Sequence, residues 1–264
     1  MATTKAKIKE GIMPAKPDML DGIDPARLPR HIAFIMDGNR RWAKANGKDK
    51  LAGHRAGART IRVVLETVLD INAAVGRRAI EICTFYAFSK ENWNRSIFEV
   101  TGLMRIFEAA AIRELEHLHE RNIKVRTIGN LDELPENVQE SINEILKTTH
   151  NNTGLLANFA LSYSGRNEIV KAAKRIWDKI ERGELDPNDI NENNFSQYLD
   201  TGDMTDPDLL VRTSGEMRFS NFLLWQIAYT ELWVTDLYWP DFQGEHLLAA
   251  LKDYQKRDRR YGGA

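Results

Sequence analysis

The sequence contains a single cysteine, Cys83, among 264 residues. One cysteine excludes an intrachain disulfide and a zinc site built from cysteines, and it is compatible with a reducing compartment. No apolar run reaches the ~18 residues that a membrane-spanning helix needs, and the lysine-containing start lacks an apolar signal region. We therefore expect a cytoplasmic protein that touches a membrane, at most, from its inner face.

The chain also lacks an excess of charge of either sign, because its formal net charge is −1. Without a basic field, nucleic acid is not expected as a partner. The P-loop pattern, G-x-G-x-x-G and H-E-x-x-H are absent, and neither Ser164 nor Ser214 lies in G-x-S-x-G. P-loop nucleotide hydrolysis, dinucleotide redox chemistry, zinc proteolysis and elbow-type esterase activity are therefore disfavoured.

Apolar runs alternate along the chain with segments of helical periodicity, which predicts a single α/β domain with a central, largely parallel six-stranded sheet flanked by helices. Residues 1–28 lack an apolar period and are predicted to form a flexible arm before the domain at 29–264. The loop at 39–53 is expected to lead into a long helix from His54. The predicted strands are 31–36, 79–85, 123–128, 155–161, 209–211 and 231–234, and further helices are expected near 98–121, 135–146, 167–180 and 245–260.

The stretch at 31–44 reads H-I-A-F-I-M-D-G-N-R-R-W-A-K, so a buried strand ends abruptly in a polar segment. Gly38 lets the backbone approach a ligand closely, and Arg40 and Arg41 supply the positive charge that a phosphate needs. One carboxylate among cations, Asp37, suggests a metal ion that bridges to this phosphate. The same residues also suit an ordinary turn followed by solvated arginines, and residue types alone do not separate the two interpretations.

Four of the predicted strands are followed by clusters of Ser, Gly, Asn, Arg or Asp. In a parallel sheet the carboxyl ends of the strands lie along one edge, so the four clusters can form one site. A site rich in arginine with two or three carboxylates suits multiply charged anions bound through Mg²⁺. The residues therefore predict phosphate or diphosphate chemistry, and they lead no further.

Three segments carry a resemblance to a known family: the stretch at 31–44, Y-A-F-S-K-E-N-W-N-R at 86–95, and D-L-L-V-R-T-S-G-E-M-R-F-S-N-F-L-L-W-Q at 208–226. In this order they resemble the signatures of the cis-prenyltransferases, the undecaprenyl diphosphate synthase family. The resemblance extends from about residue 29 to residue 263. The aspartate-rich D-D-x-x-D motif of trans-prenyltransferases is absent.

The resemblance implies Mg²⁺-dependent condensation of isopentenyl diphosphate onto an allylic diphosphate such as farnesyl diphosphate, with each new double bond cis. By this match Asp37 engages Mg²⁺ and helps the diphosphate leave, Asn92 assists proton removal, and Glu231 is a second magnesium ligand. The implied substrate-binding residues are Gly38, Asn39, Arg40, Arg41, Trp42, Lys50, His54, Ser89, Lys90, Glu91, Trp93, Arg95, Arg212, Arg218, Phe219 and Ser220.

The resemblance further implies a homodimer, in which the C-terminal Arg260-Tyr261-Gly262 reaches a diphosphate of the partner subunit. The lipid product would bring the protein to the membrane surface. Four positions depart from the commonest bacterial pattern, which bears on substrate preference rather than on reaction type. The departures are Arg40 for Gly, Lys50 for Arg, Lys90 for Ser or Thr, and Ser164 for Gly.

A growing hydrocarbon needs a dry tunnel, and the helices at 55–75 and 98–121 are the candidates to form it against the sheet. The alanines at 109–111 either leave room for the product or serve helix packing. Two other functions stay open: a single condensation that gives a short cis product, and a non-catalytic subunit that stabilises a catalytic partner. The two histidines His117 and His119 are expected to be solvent-exposed rather than metal ligands.

Overall fold

The computed structural model describes residues 19–257 of the chain. Its centre is one sheet of six strands in the order β3-β4-β2-β1-β5-β6, and every pair of neighbours is parallel. The predicted α/β fold with a six-stranded parallel sheet is therefore confirmed. The strands are β1 His31–Ile35, β2 Ile82–Tyr86, β3 Lys124–Gly129, β4 Leu156–Leu161, β5 Leu209–Thr213 and β6 Glu231–Thr235.

Helices connect the strands and cover the sheet. They are α1 Asn39–Ala45, α2 Lys50–Val75, α3 Ile97–Glu120, α4 Glu136–Thr149, α5 Gly165–Glu181, α6 Glu192–Phe195 and α7 Gly244–Gln255. The two longest, α2 and α3, begin at side-chain caps: Asp49 accepts from the amide of Ala52, and Ser96 accepts from that of Glu99. Such caps satisfy amides that have no partner inside the helix.

Strand β1 lies inside the sheet, and all five of its residues are buried. Its alternate side chains point to opposite faces: Ile32 and Phe34 belong to the core beneath α2 and α7, whereas Ala33 and Ile35 belong to a core on the other face. Because both faces are covered, the strand is a nearly continuous apolar run. Cys83 of the neighbouring strand β2 is fully buried, as expected for core packing.

The structure corrects three predictions of local structure. The segment 39–53, predicted to be a loop, contains α1 and the start of α2, because its few apolar side chains hid the helical period. In the described part of the predicted arm, Ile23 is buried in the core, so the domain includes residues 19–28. His117 is half-buried rather than exposed, because its Nε2 lies 2.7 Å from Oε1 of Glu66.

Two further predictions concern the ends of the chain and the membrane. Residues 1–18 of the arm and the motif Arg260-Tyr261-Gly262 lie outside the described residues. Within 19–257, no helix has both the length and the apolar character needed to cross a bilayer.

We expect the aromatic cluster of Phe34, Phe85 and Trp239 to dominate the stability of the sheet. Phe34 is fully buried, stacks on Phe85 with ring centroids 5.1 Å apart, and lies 6.0 Å from the ring of Trp239. Phe34→Ala should lower the free energy of unfolding by about 3–5 kcal/mol, because it removes a large buried side chain and leaves a cavity. Urea unfolding measures this change. The control Phe98→Ala, at a side chain that is 77% exposed, should change it by less than about 0.5 kcal/mol.

Candidate active site

An ion pair between Asp37 and Arg212 joins the carboxyl ends of two neighbouring strands. Asp37 lies two residues beyond Ile35, the residue of β1 that is in register with Arg212 of β5. Nη2 of Arg212 donates to Oδ2 of Asp37 at 2.9 Å. Two residues predicted from separate motifs are therefore brought into direct contact by the parallel pairing of β1 and β5.

The guanidinium of Arg212 is 3% exposed, so its positive charge is held almost without water. Nη1 donates to Oγ of Ser220 at 2.9 Å and to the carbonyl of Arg218, whereas Nε has no hydrogen-bond partner. A buried charge is costly unless it is paired and hydrogen-bonded. The contacts with Asp37, Arg218 and Ser220 offset this cost and orient the group.

The carboxylate of Asp37 is half-buried and bound from three sides. Burial raises the pKa of this carboxyl, but the hydrogen bonds from Arg212 and from the Gly38 amide, together with the charge of Arg41, hold its pKa below the usual value. The Gly38 amide donates at 2.7 Å, and Nη2 of Arg41 lies 3.2 Å from Oδ1. Asp37 is therefore ionised at neutral pH.

Gly38 is required by the geometry of this turn. Its φ is +98°, and a Cβ at this position would lie 2.7 Å from Oγ of Ser214 and 2.9 Å from Cδ1 of Tyr238. An L side chain would be strained at this φ and would collide with both neighbours. Oγ of Ser214 is buried and has no hydrogen-bond partner, so one polar atom at the turn is available to a ligand or water.

A second carboxylate, Glu216, links two arginines at the mouth of the site. Arg41 donates to Oε1 of Glu216 at 3.1 Å and also to the carbonyl of Ser214, and Arg218 binds Oε2. Arg218 is 60% exposed, so its guanidinium is accessible to an incoming anion. The arginines predicted at 41, 212 and 218 thus lie in one cluster with Asp37.

Beside this cluster, a buried carboxylate gathers three more of the predicted residues. Glu99 of α3 is buried, and its Oε1 lies 3.1 Å from Arg95, 3.9 Å from Arg40 and 3.8 Å from Nε2 of His54. Burial and the charges of Arg95 and Arg40 lower the pKa of His54 to about 4, although Glu99 opposes them. His54 is therefore neutral at pH 7, and its buried Nε2 has no hydrogen-bond partner.

Within the second signature, Lys90–Asn94 form a short 3-10 helix near the carboxyl end of β4. Lys90 binds Glu133, Glu91 accepts from Asn221, and Nε1 of Trp93 donates to Ser162 at 2.8 Å. Oδ1 of Asn92 accepts from the Ser89 amide at 3.3 Å. In this structure these side chains hold the segment in place.

Four other predicted residues stand outside the two clusters. Trp42 donates from Nε1 to Asp241 at 2.6 Å, so it ties α1 to the turn after β6. Lys50 is exposed at the first position of α2, and Phe219 is 42% exposed beside Arg218. The fourth, Asn39, donates to the carbonyl of Met36 while its Oδ1 is buried without a partner.

Asp37 and Glu231, which the resemblance assigns to Mg²⁺, lie at opposite ends of the strands within one chain, and their role as metal ligands stays a prediction. Glu231 is in register with Leu209 and so with Ile32, at the amino ends of the strands. Asp37 lies beyond Ile35, and the three residues from Ile32 to Ile35 alone span roughly 10 Å. Glu231 instead binds Arg257 at 2.9 Å. The resemblance gave both residues a role, but the parallel sheet separates them within one chain.

An apolar cavity of about 160 Å³ adjoins the polar clusters. Met36 and Asn39, on either side of the Asp37 turn, line its mouth together with His54. From there it continues between α2, α3 and the sheet. Its walls include Ile61, Leu65, Leu103, Phe107, Ala110, Ala111, Leu118, Val125, Ile145 and Phe159. The cavity lies between the two long helices and the sheet, and the predicted tunnel stays a prediction.

Comparison with known proteins identifies the family. Residues 35–262 match the family model described as "Putative undecaprenyl diphosphate synthase". The chain belongs to this family of prenyltransferases. It is 49% identical to an isoprenyl transferase of Heliobacterium mobile over 241 residues, which are 91% of this chain and 90% of that protein. The predicted resemblance, and with it the prediction of a prenyl transferase, is confirmed.

Solved structures of related proteins share the fold of this prenyltransferase. One is lavandulyl diphosphate synthase from Lavandula x intermedia in complex with dimethylallyl diphosphate, with a TM-score of 0.84, 37% identity, and coverage of 90% of this chain and 99% of that chain. Another is a probable undecaprenyl diphosphate synthase from Campylobacter jejuni, with a TM-score of 0.72, 30% identity, and coverage of 89% and 98%.

Several residues of the prenyltransferase site were missed by the sequence analysis. Glu99 carried a usable signal, because a carboxylate four residues after Arg95 at the start of a helix faces the same side. Ser214 and Glu216 lay inside a quoted signature without an assigned role. Tyr238, which packs against Gly38, follows β6 in a turn that has no pattern of its own and could only be found from the structure.

The low pKa of His54 predicts how this prenyltransferase loses stability in acid. The folded-state pKa of about 4 lies below the ordinary 6.5, so the unfolded chain binds the proton first as the pH falls. The stabilisation is present above pH 6.5 and is lost between 6.5 and 4, at a rate of up to about 1.4 kcal/mol per pH unit. His54→Gln removes the imidazole that takes up this proton.

Urea unfolding between pH 7 and 4 measures the effect. The His54→Gln variant should lose less stability on acidification than the unchanged protein. A matched variant, His246→Gln at a partly exposed histidine at the start of α7, should follow the unchanged protein. Parallel curves for His54→Gln and the unchanged protein would contradict the prediction.

Proposed function

We propose that the chain condenses isopentenyl diphosphate units onto an allylic diphosphate, such as farnesyl diphosphate, to give a cis-polyprenyl diphosphate. The observation that carries the proposal is the direct junction of the Asp37 and Arg212 cluster with the apolar cavity. A prenyl diphosphate has the same two parts, a multiply charged head and a hydrocarbon tail. The bound dimethylallyl diphosphate of the lavender relative, an allylic diphosphate, supports the proposal.

The first chemical step is departure of the allylic diphosphate, in which the bond between the allylic carbon and the diphosphate oxygen breaks. Negative charge grows on the leaving diphosphate, and cationic groups held in advance stabilise it where it develops. Arg41 and Arg218 are suited to this role, since both lie at the exposed mouth and are held by one carboxylate, Glu216. An incoming diphosphate can compete with Glu216 for both guanidinium groups.

Next, the double bond of isopentenyl diphosphate attacks the allylic carbon, a carbon–carbon bond forms, and loss of a proton restores an alkene. The acceptor of this proton need only be a modest base. Asn92 is a poor candidate, because an amide is weakly basic and its Oδ1 already accepts from the Ser89 amide. We therefore assign Asn92 to positioning of the segment that carries Lys90 and Glu91, and the diphosphate itself is a sufficient acceptor.

The donor set fits Mg²⁺ held between protein and substrate. Mg²⁺ in proteins is commonly bound by one or two carboxylates together with substrate phosphates. Asp37 is ionised and partly exposed, whereas residues 19–257 contain no group of three His, Cys, Asp or Glu side chains able to hold a metal ion. Asp37 would hold the ion only with the help of the diphosphate. When bound, Mg²⁺ neutralises charge on the leaving diphosphate.

Some predictions of the sequence analysis stay predictions. These are the homodimer, contact with the inner face of the membrane through the lipid product, and the effect of Arg40, Lys50, Lys90 and Ser164 on substrate preference. The alternative of a non-catalytic stabilising subunit is disfavoured because the charged cluster and the adjoining cavity are both present. The alternative of a single condensation is distinguished from polyprenyl synthesis by the length of the product.

The activity of the purified protein tests the proposal. With Mg²⁺, farnesyl diphosphate and labelled isopentenyl diphosphate, it should form a cis-polyprenyl diphosphate. Asp37→Ala should lower kcat by about 10²–10³-fold, because the carboxylate that would hold Mg²⁺ beside the leaving diphosphate is lost. Asp203→Ala is the control, since Asp203 forms an exposed ion pair with Arg126. Product only after a second protein is added would favour the subunit function, and a single-step product would favour the short-chain alternative.

The size of the side chain at residue 110 should affect product length. Ala110 lines the cavity, whereas its neighbour Ala109 is exposed on the other side of α3. Ala110→Leu would fill space that the hydrocarbon needs, so the longest product should shorten by at least one isoprene unit. Ala109→Leu should leave the product unchanged. Chromatography of dephosphorylated products measures the lengths, and an unchanged length for Ala110→Leu would refute a role of this cavity in holding the tail.

A further inference from the structure

The cavity is much smaller than the hydrocarbon that a polyprenyl product carries. A dry apolar cavity of about 150 Å³ holds one benzene molecule, and the cavity here is about 160 Å³. A farnesyl group is more than twice the size of benzene. If the proposed function holds, at least one wall of the cavity must therefore move as the product grows.

Most of the cavity wall belongs to the packed core. Leu65, Val125 and Leu118 are buried beside the sheet, and displacing them would break close packing. The seam between α2 and α3 differs, because three of the lining residues along it are ionisable: Arg62, Glu114 and His117. Among the described residues that line the cavity, the only other ionisable side chain is His54 at the mouth.

These three residues belong to a chain of polar contacts across the seam, which we name the α2–α3 clasp. It consists of Arg62 and Glu66 from α2, of Glu114 and His117 from α3, and of Arg121, the residue that caps the carboxyl end of α3. Arg62 lies 3.5 Å from Glu114 and 3.1 Å from Nδ1 of His117. Glu66 lies 2.7 Å from Nε2 of His117 and 2.8 Å from Arg121.

The position of the clasp places it between the cavity and solvent. Its residues on α2 lie eight and twelve positions beyond His54, which corresponds to roughly 12–18 Å along the helix from the mouth of the cavity. Arg62 is 50% exposed while Glu114 is 17% exposed, so the pair has an outer side in water and an inner side on the cavity. Partly exposed ion pairs contribute little individually, so they can open at a low cost compared with the core.

We propose that the α2–α3 clasp limits product length, because the seam must open for the hydrocarbon to grow past it. Arg62 is the central residue, since it contacts two residues of α3. Weakening the clasp makes opening easier and allows a longer tail. The inference rests on the proposed function and adds the residues that determine how long the product becomes.

The test compares product lengths made by variants of the full chain. Arg62→Met keeps an apolar stem but removes the charge, so its longest product should exceed that of the unchanged protein by at least one isoprene unit. Arg62→Glu should lengthen it too, because it places two carboxylates together. Exchanging the charges in the double variant Arg62→Glu with Glu114→Arg should restore the original length. The control is Arg30→Met, which breaks a partly exposed ion pair with Glu81, neither residue of which lines the cavity.

Equal or shorter products from Arg62→Met, or the same lengthening by Arg30→Met, would overturn the inference while leaving the proposed function intact. If the unchanged protein forms no polyprenyl product, the proposed function fails. Binding of cis-parinaric acid, a fluorescent fatty acid, then tests whether the clasp limits access to the cavity. Arg62→Met should bind this probe about two- to fivefold more tightly, the range expected for one partly exposed ion pair. Equal or weaker binding would overturn the clasp as a barrier.

Discussion

The ion pair between Asp37 and Arg212 is the interaction on which the polar edge of the sheet depends. Arg212 is nearly inaccessible to water, and a buried guanidinium without a partner would cost several kcal/mol. The pair forms because β1 and β5 are neighbours and their register brings Ile35 opposite Arg212. The same register that forms the hydrogen bonds between β1 and β5 therefore places the carboxylate and the guanidinium together at the carboxyl ends of the strands.

Two opposite requirements meet at this edge, charge for a diphosphate and dryness for a hydrocarbon. The strand ends provide the first, since side chains there leave the packed region of the sheet. Helices α2 and α3 provide the second, because their facing sides are apolar along most of their length. His54 and Asn39 stand at the boundary, each with a buried polar atom that has no hydrogen-bond partner in the protein. Buried polar atoms of this kind are rare in native proteins, and substrate or water can satisfy them.

The α2–α3 clasp is the exception to the apolar lining, and its location is informative. Polar residues beside a hydrophobic cavity are unfavourable unless they are bound to one another, and here Arg62, Glu114 and His117 satisfy each other across two helices. This arrangement closes the cavity with contacts that are weaker and more reversible than core packing. For a growing tail, this side of the cavity would be the wall that opens at the lowest cost in free energy.

The sequence predicted the α/β class, the six parallel strands and the polar clusters after the strands, because buried strands and their polar ends differ sharply in composition. It predicted helix boundaries less well: α1 has only one buried residue, Ala43, so its period was not visible. Candidate site residues at strand ends, such as Asp37 and Arg212, were predicted from their motifs, and the structure places these two in contact. Tyr238 was missed because its role comes from contact with Gly38, which lies far away in the chain.

By itself, then, the sequence determined the fold class and the family, and it predicted phosphate or diphosphate chemistry at the strand ends, since local composition and long motifs carry these properties. Only the tertiary structure decided which of the predicted residues meet. It joined Asp37 to Arg41 and Arg212, and it grouped His54 and Arg95 around Glu99. It placed Glu231 at the amino ends of the strands, away from Asp37. The physical reason is that contacts between residues distant in sequence follow from strand order and register, which motifs do not encode.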